Sequence, residues 1–203
     1  MDLQRVEKEL KKRHSFPYKW GRKQSDDWDK KTNFIYTTYS FKKLLEQTNS
    51  LEVAVKNYAL NRWYNYWSAM AIESIFTSHK HITAHKNKYN KLIDFTINDI
   101  PFDHKTSVFP KGFNKSIEYT LQHKKELITW FYENQSQQGR KHLKNRLFVV
   151  LFDKNKEHWK MKAEITFLKT NIEKYIATFS QKNLMTLDFG AGKVYSDIIW
   201  IQK

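Results

Sequence analysis

The chain has 203 residues, and its 36 Lys and Arg against 21 Asp and Glu give a formal net charge of +15. At roughly 150 residues per domain, this length predicts a single domain. An aromatic content of 16% is too high for a disordered chain, 5 Gly and 3 Pro exclude a collagen-like one, and the lack of Cys excludes disulfides and thiol catalysis.

The first part of the chain predicts helices. A short charged helix covers Leu3–Arg13, residues 14–33 read as irregular, and a short element covers Phe34–Glu46. Thr48-Asn49-Ser50 offers N-cap side chains for a long helix over Leu51–Ser78, which contains no Gly or Pro. Apolar residues recur along it at helical spacing, at Val55, Ala59, Trp63, Tyr66 and Met70.

The rest of the chain mixes strands and helices. The pattern predicts strands over Lys91–Ile97, Ile100–Val108, Leu147–Phe152, Met185–Phe189 and Val194–Ile201, with helices over Lys115–Asn134 and 157–180. Asn98-Asp99 suits a tight turn between the first two strands, and Asn114 could cap the helix after them. We therefore expect an α/β or α+β fold, with a central mixed sheet flanked by helices.

No element predicts a membrane span or a signal peptide. The first 15 residues are charged throughout and lack an apolar centre. The longest purely apolar run, Leu147–Phe152, is far shorter than the roughly 20 residues that cross a bilayer. We expect a soluble, cytoplasmic protein with no membrane partner.

The predicted hairpin carries two opposed acids. If Asn98-Asp99 forms a two-residue turn, Asp94 lies opposite Asp103, and the same register places Phe95 opposite Phe102. Directly opposed like charges destabilise a sheet. A divalent cation would offset that cost, because hard ions prefer carboxylate oxygens as ligands.

Two more residues extend this acidic pair. Lys105 projects to the same face of its strand as Asp103. Glu73 is the only charged residue between Trp63 and Ser78, where a chain with 28% charged residues would have about four, and it follows an apolar helical stripe. An unpaired carboxylate is costly there unless it is paired or binds metal. Carboxylates that hold a metal beside an ammonium group suit phosphodiester hydrolysis.

Simpler interpretations stay open. The tripeptide acid-x-Lys is uninformative alone, since it also occurs at Glu9–Lys11 and Asp29–Lys31. Asp94 and Asp103 could be exposed hairpin residues that form salt bridges with the abundant Lys side chains. Glu73 could be a core carboxylate that is paired with a buried His or Arg.

Taken together, these residues resemble the PD-(D/E)xK nuclease superfamily, which has the restriction-endonuclease-like fold. The resemblance covers residues 55–152 and follows the order of elements: a helix with a Glu, a strand with an Asp, a strand with acid-x-Lys, a helix and a further strand. It implies that Glu73 is the helix carboxylate, that Asp94 and Asp103 are the first and second motif acids, and that Lys105 is the motif Lys. It also implies Mg²⁺ at Asp94, Asp103 and Glu73, and cleavage of DNA to leave a 5′-phosphate.

The chain departs from the family pattern in three ways. Ile93 stands where the motif has Pro, and Asp103 replaces the commoner Glu. The fold also has a strand before the one that carries the first acid, for which His81–His85 is a weak candidate. Within a single domain, the resemblance implies an extension at 1–50, a catalytic core at 51–152, and a helix with strands at 153–203.

Positive charge near these motifs predicts contacts with a polymer. Basic side chains of this kind bind phosphates without reading sequence, whereas Gln and Arg can also reach base edges. The candidate nucleic-acid contacts are Lys86, Lys88, Lys111, Lys115, Gln138, Arg140, Lys144 and Arg146. An ordinary solvated loop explains the Gln-rich segment equally well.

These observations favour a Mg²⁺-dependent DNA endonuclease of the type II restriction kind. It could act as a homodimer, because symmetric cutting of both strands calls for two sites. RNA is a less favoured substrate. The alternative is a non-catalytic nucleic-acid-binding protein, for DNA or RNA, in which the acids are structural.

Overall fold

The computed structural model describes residues 1–20, 26–85, 93–134, 143–190 and 192–203, with only the backbone of Asp26. The chain divides into two compact units. The first unit comprises Met1–Ile72 and Lys162–Leu168, and the second comprises Glu73–Met161 and Lys169–Lys203. The sequence predicted one domain with three segments, and that division stays a prediction.

The first unit is helical in its described part. It contains α1 (Leu3–Lys11), α2 (Asp26–Lys31), α3 (Phe41–Gln47) and most of α4 (Val53–Thr77). Ser40 caps α3 by accepting a hydrogen bond from the Lys43 backbone N–H. Since α4 was predicted over Leu51–Ser78, its position is confirmed.

An arginine lies inside this helical unit. The Arg13 side chain is fully buried, and its guanidinium donates to the Phe16 and Pro17 carbonyls and to Asn61 Oδ1 at 2.6 Å. Buried charges persist only when hydrogen bonds compensate their lost hydration. Arg13 therefore ties the chain after α1 to α4.

Among the described residues of the second unit, six strands form one mixed sheet in the order β1-β2-β3-β4-β6-β5. The pairs β1–β2, β2–β3 and β5–β6 are antiparallel, whereas β3–β4 and β4–β6 are parallel. The strand bounds are Ile82–Ala84 (β1), Phe95–Ile97 (β2), Ile100–Val108 (β3), Arg146–Phe152 (β4), Met185–Asp188 (β5) and Lys193–Gln202 (β6). The predicted mixed α/β class is confirmed.

In the described part of the chain, three further helices lie between strands of this sheet in sequence. They are α5 (Ile117–Gln122) and α6 (Lys124–Asn134), between β3 and β4, and α7 (Ile165–Ala177), between β4 and β5. The α6 side chains Leu127 and Phe131 are buried in one cluster with Phe148 of β4, and the Phe131 and Phe148 rings stack with centroids 4.8 Å apart. This apolar face fixes α6 on the sheet. Within the described ranges, no helix has both the length and the apolar character needed to cross a membrane.

The prediction of a single helix over Lys115–Asn134 is wrong. Asn114 takes a left-handed conformation, with φ 53°, and Ser116 caps α5 by accepting from the Tyr119 backbone N–H. The helical geometry then breaks at His123, with φ −123° and ψ 43°, so α5 and α6 are separate. A helix was also predicted over 157–180, but α7 begins only at Ile165, after a 3-10 segment over His158–Ala163.

The hairpin follows the predicted register. Asn98 and Asp99 both have positive φ, 47° and 64°, as a two-residue turn of this hand requires. Phe95 pairs with Phe102, as expected. The weak candidate around His81–His85 does form a strand, β1, which pairs with β2.

Candidate active site

The regular pairing of β2 with β3 stops at Phe95–Phe102, one residue before the first candidate acid. There the Asp94 backbone N–H donates to the Phe102 carbonyl at 2.8 Å. The Asp94 carboxylate turns to the neighbouring strand, where Oδ2 accepts from the His104 backbone N–H at 2.7 Å and lies 2.8 Å from its ring Nδ1. The predicted direct opposition of Asp94 and Asp103 is thus replaced by a contact between Asp94 and His104.

The histidine in this contact is held by aromatic rings. Only 6% of the His104 side chain is exposed, and its ring lies 6.0 Å from the ring centroid of Phe95 and 6.2 Å from that of Phe76. Burial alone would raise the pKa of Asp94. The hydrogen bonds and charge of His104, together with the charge of Lys105, instead hold that pKa below its usual value. Asp94 is therefore ionised at neutral pH.

Two cations engage the second candidate acid, Asp103. Its Oδ1 accepts from Lys105 Nζ at 2.9 Å, and its Oδ2 accepts from Arg146 Nε at 2.9 Å. Arg146 is the register partner of Asp103 across β3 and β4. The Asp103 and Arg146 side chains are 7% and 9% exposed, whereas Lys105 is 46% exposed. Asp103 thus joins a buried guanidinium to a solvent-accessible ammonium.

An aromatic ring covers the guanidinium of this pair. The Arg146 guanidinium carbon lies 5.3 Å from the ring centroid of Tyr132, whose hydroxyl donates to the Lys144 carbonyl. Burial raises the pKa of Tyr132 to about 12, so the phenol stays neutral beside Asp103. Arg146 was predicted to contact a polymer; here it has partners inside the fold.

The third candidate acid, Glu73, stands near the end of α4 and is half-buried. Burial raises its pKa, the negative charge of Asp94 raises it further, and the charge of His104 opposes them. Glu73, Asp94 and His104 therefore lie within electrostatic reach of one another. That Glu73 binds metal or pairs with a buried cation stays a prediction.

These side chains form two groups that Lys105 links. One group comprises Glu73, Asp94 and His104, and the other Asp103, Lys105 and Arg146; the charge of Lys105 acts on Asp94 while its ammonium contacts Asp103. Sequence reasoning missed His104, which is the middle residue of acid-x-Lys and lies on the opposite face of β3 from Asp103. It also missed the pairing of Arg146 with Asp103, because only the register of β3 on β4 shows it.

The carboxylates suit a hard divalent cation by their chemistry, because Mg²⁺ prefers oxygen ligands. In the described part of the chain, however, no three or more His, Asp or Glu side chains are arranged to hold a metal ion. Both Asp103 oxygens contact cations, and Asp94 Oδ2 contacts His104. The carboxylates predicted to bind Mg²⁺, those of Glu73, Asp94 and Asp103, thus lie in two neighbouring groups and do not converge on one point.

Apart from the buried Arg146, the candidate polymer contacts fall into two sets. Lys111, Lys115 and Lys144 are exposed in the second unit, and Lys115 Nζ lies 5.0 Å from the ring centroid of Tyr119. The others, Lys86, Lys88, Gln138 and Arg140, lie outside the described residues. Exposed lysines of this kind are free to neutralise phosphates.

Comparisons of the chain with protein-family models, with curated proteins and with solved structures found no match.

Proposed function

We propose that the protein is a Mg²⁺-dependent endonuclease with a restriction-endonuclease-like core, which hydrolyses phosphodiester bonds of DNA. The observation that carries this proposal is the contact between Asp103 and the accessible Lys105 ammonium on β3. The ionised Asp94 lies next to it in the hairpin, just beyond the last residue pair of β2 and β3. Carboxylates next to an accessible ammonium can neutralise and orient a phosphodiester.

The order of elements supports the same proposal. Glu73 on α4 is followed by three antiparallel strands, then by α5 and α6, and then by β4, which runs parallel to β3. This is the order that the resemblance to the PD-(D/E)xK superfamily implies, with β1 as its additional strand. A type II restriction-like member that cuts both strands symmetrically would act as a homodimer.

Each side chain has a distinct role in this proposal. Asp94 and Asp103 would hold Mg²⁺, with Glu73 as a third ligand, and the ion would supply an activated water and positive charge at the scissile phosphate. Because both Asp103 oxygens now contact cations, that carboxylate would have to exchange at least one of them for the ion. Lys105 would contact the phosphate and stabilise the negative charge that develops in the transition state. His104 would keep Asp94 ionised and directed at this site. Lys111, Lys115 and Lys144 would bind neighbouring phosphates.

One observation favours a second candidate function, non-catalytic binding of DNA or RNA. Lys105 and Arg146 already satisfy both Asp103 oxygens, so this acid has a structural role without any metal. In such a protein the lysines alone would bind the polymer. It would show salt-sensitive binding without metal-dependent turnover.

The experiment incubates the protein with supercoiled plasmid, unmethylated genomic DNA and single-stranded RNA, in Mg²⁺ and in EDTA. The nuclease proposal predicts cleavage of DNA in Mg²⁺ alone, and discrete genomic fragments would indicate a restriction enzyme. Binding that weakens steeply with salt, with no cleavage in Mg²⁺, would instead establish the second candidate.

A further inference from the structure

A second cluster of polar and aromatic side chains lies along β6. The pairing of β5 with β6 begins at Met185–Ser196, so β6 continues past the described start of β5. A cavity of about 530 Å³ opens along this continuation, within the size range of small-molecule sites. Its lining includes Lys124, Tyr175, Phe179, Lys182, Asp197 and Trp200.

The Asp197 carboxylate forms a wall of this cavity, and its two oxygens are unequally satisfied. Oδ1 accepts from Lys124 Nζ at 2.7 Å and from the Ile198 backbone N–H at 2.8 Å. From the described part of the chain, Oδ2 accepts only the Tyr175 hydroxyl, at 3.2 Å. Each carboxylate oxygen can accept about two hydrogen bonds, so Oδ2 retains capacity for another donor.

The Tyr175 hydroxyl beside Asp197 stays a hydrogen-bond donor. Burial and the negative charge of Asp197 raise the pKa of Tyr175, so the phenol keeps its proton and remains a donor. Lys124 is 30% exposed, whereas the Asp197 side chain is only 6% exposed. The cavity therefore presents a hydrogen-bond acceptor directly beside an accessible ammonium donor.

Two aromatic side chains supply flat apolar surface next to these polar groups. Phe179 and Trp200 both line the cavity and are half-buried. The Phe179 ring is fixed by edge contacts with Phe102 and Tyr175, at centroid distances of 6.1 Å and 6.0 Å. Planar heterocycles stack on such rings.

We propose that this cavity binds a guanine base, which stacks against Trp200 or Phe179. Its N1–H and exocyclic amino group donate to Asp197 Oδ2 and displace the long 3.2 Å hydrogen bond from Tyr175. Guanine places an acceptor oxygen next to those donors, and Lys124 would donate to it. Adenine and uracil do not present this pair of donors beside an acceptor. An adjoining cavity of about 820 Å³ shares Lys124 and Met185 and leaves room for the sugar and phosphate, which Lys125 would bind.

The base could belong to a free nucleotide or to a single strand, and calorimetric titrations in EDTA distinguish these sources. The ligands are GMP, AMP, UMP, a thymidine hexamer and the same hexamer with one central guanine. We expect at least tenfold tighter binding of GMP than of AMP or UMP if the free nucleotide is the ligand. A tenfold preference for the guanine-containing hexamer over the thymidine hexamer, with no preference among the mononucleotides, identifies a single strand as the ligand. No tenfold preference in either series would overturn the proposal, whatever the nuclease assay shows.

Two variants test the assigned contacts. Asp197→Asn replaces one acceptor oxygen by a donor and should remove the guanine preference, while Lys174→Gln, on an exposed neighbour of Tyr175, should leave it unchanged. Because Asp197 is buried, Tyr175→Phe provides a milder change, which should raise guanine affinity severalfold because it removes the hydroxyl that competes for Asp197 Oδ2. Unchanged guanine preference in either folded pocket variant contradicts the assignment.

Discussion

The Asp103–Arg146 pair gives the sharpest test of the packing at the candidate active site. Asp103→Ala removes the carboxylate that accepts from Arg146 Nε at 2.9 Å, and the guanidinium, which is 9% exposed, loses that ion pair. Breaking a buried ion pair by removing one partner costs about 3–5 kcal/mol. We expect about 3 kcal/mol, at the lower end, because Arg146 keeps its contact with the Tyr132 ring.

Urea unfolding measures this loss as a change in the free energy of unfolding. Lys105→Met should cost less than about 1 kcal/mol, since that ammonium is 46% exposed and its ion pair is solvated. Asp99→Asn, at the exposed turn of the same hairpin, is the matched control and should be neutral. The double variant Asp103→Ala/Arg146→Met should recover part of the loss, because the buried guanidinium is removed together with its carboxylate. A cost below about 1 kcal/mol for Asp103→Ala would refute the role of a buried pair.

Three further predictions concern the same hairpin and its neighbours. Because the folded pKa of Glu73 is raised, its carboxylate disfavours folding once pH exceeds the usual value, so Glu73→Gln should raise the midpoint of thermal unfolding at pH 7 and not at pH 3. Equal effects at both pH values would contradict the assigned pKa. The pKa of Asp94 is lowered in the folded protein, so its ionised carboxylate stabilises the fold at neutral pH and that stabilisation is lost in acid. His104→Ala should raise the pKa of Asp94 in a carboxyl NMR titration, and an unchanged pKa would exclude the contact. Asn98→Val should cost about 1 kcal/mol in urea unfolding because Asn98 has φ 47°, while Asn98→Gly should be nearly neutral; a neutral valine would rule out the left-handed turn.

The hairpin shows how much of the fold the sequence could predict. The two strand-like stretches and the Asn98-Asp99 turn between them predicted β3 over Ile100–Val108 and its register on β2, because these features depend on neighbours in sequence. The position of α4 was likewise predicted from its apolar periodicity. The break at His123 could not be foreseen, since the residues on both sides favour helix and the division depends on the backbone conformation of His123.

The candidate site was predicted less completely, for a related reason. Glu73, Asp94, Asp103 and Lys105 were all singled out from sequence, and the structure brings them into two linked groups. Their partners were missed: Arg146 reaches Asp103 only because β4 lies parallel to β3 in one register. His104 contacts Asp94 because the regular pairing ends at Phe95. Sequence patterns indicate which face of a strand a residue occupies. The contacts of Arg146 and His104 depend instead on the register of β3 with β4 and on where the pairing of β2 with β3 ends.

The most direct measurement is the rate of plasmid cleavage in Mg²⁺ by the wild type, by Lys105→Met and by Asp99→Asn. Loss of one electrostatic stabiliser of a transition state lowers the rate by about 10²–10³. We predict cleavage by the wild type and Asp99→Asn at equal rates, and a reduction of at least about 100-fold in folded Lys105→Met. A wild type that does not cleave in Mg²⁺, or a Lys105→Met variant that cleaves at the wild-type rate, would contradict the proposed nuclease site.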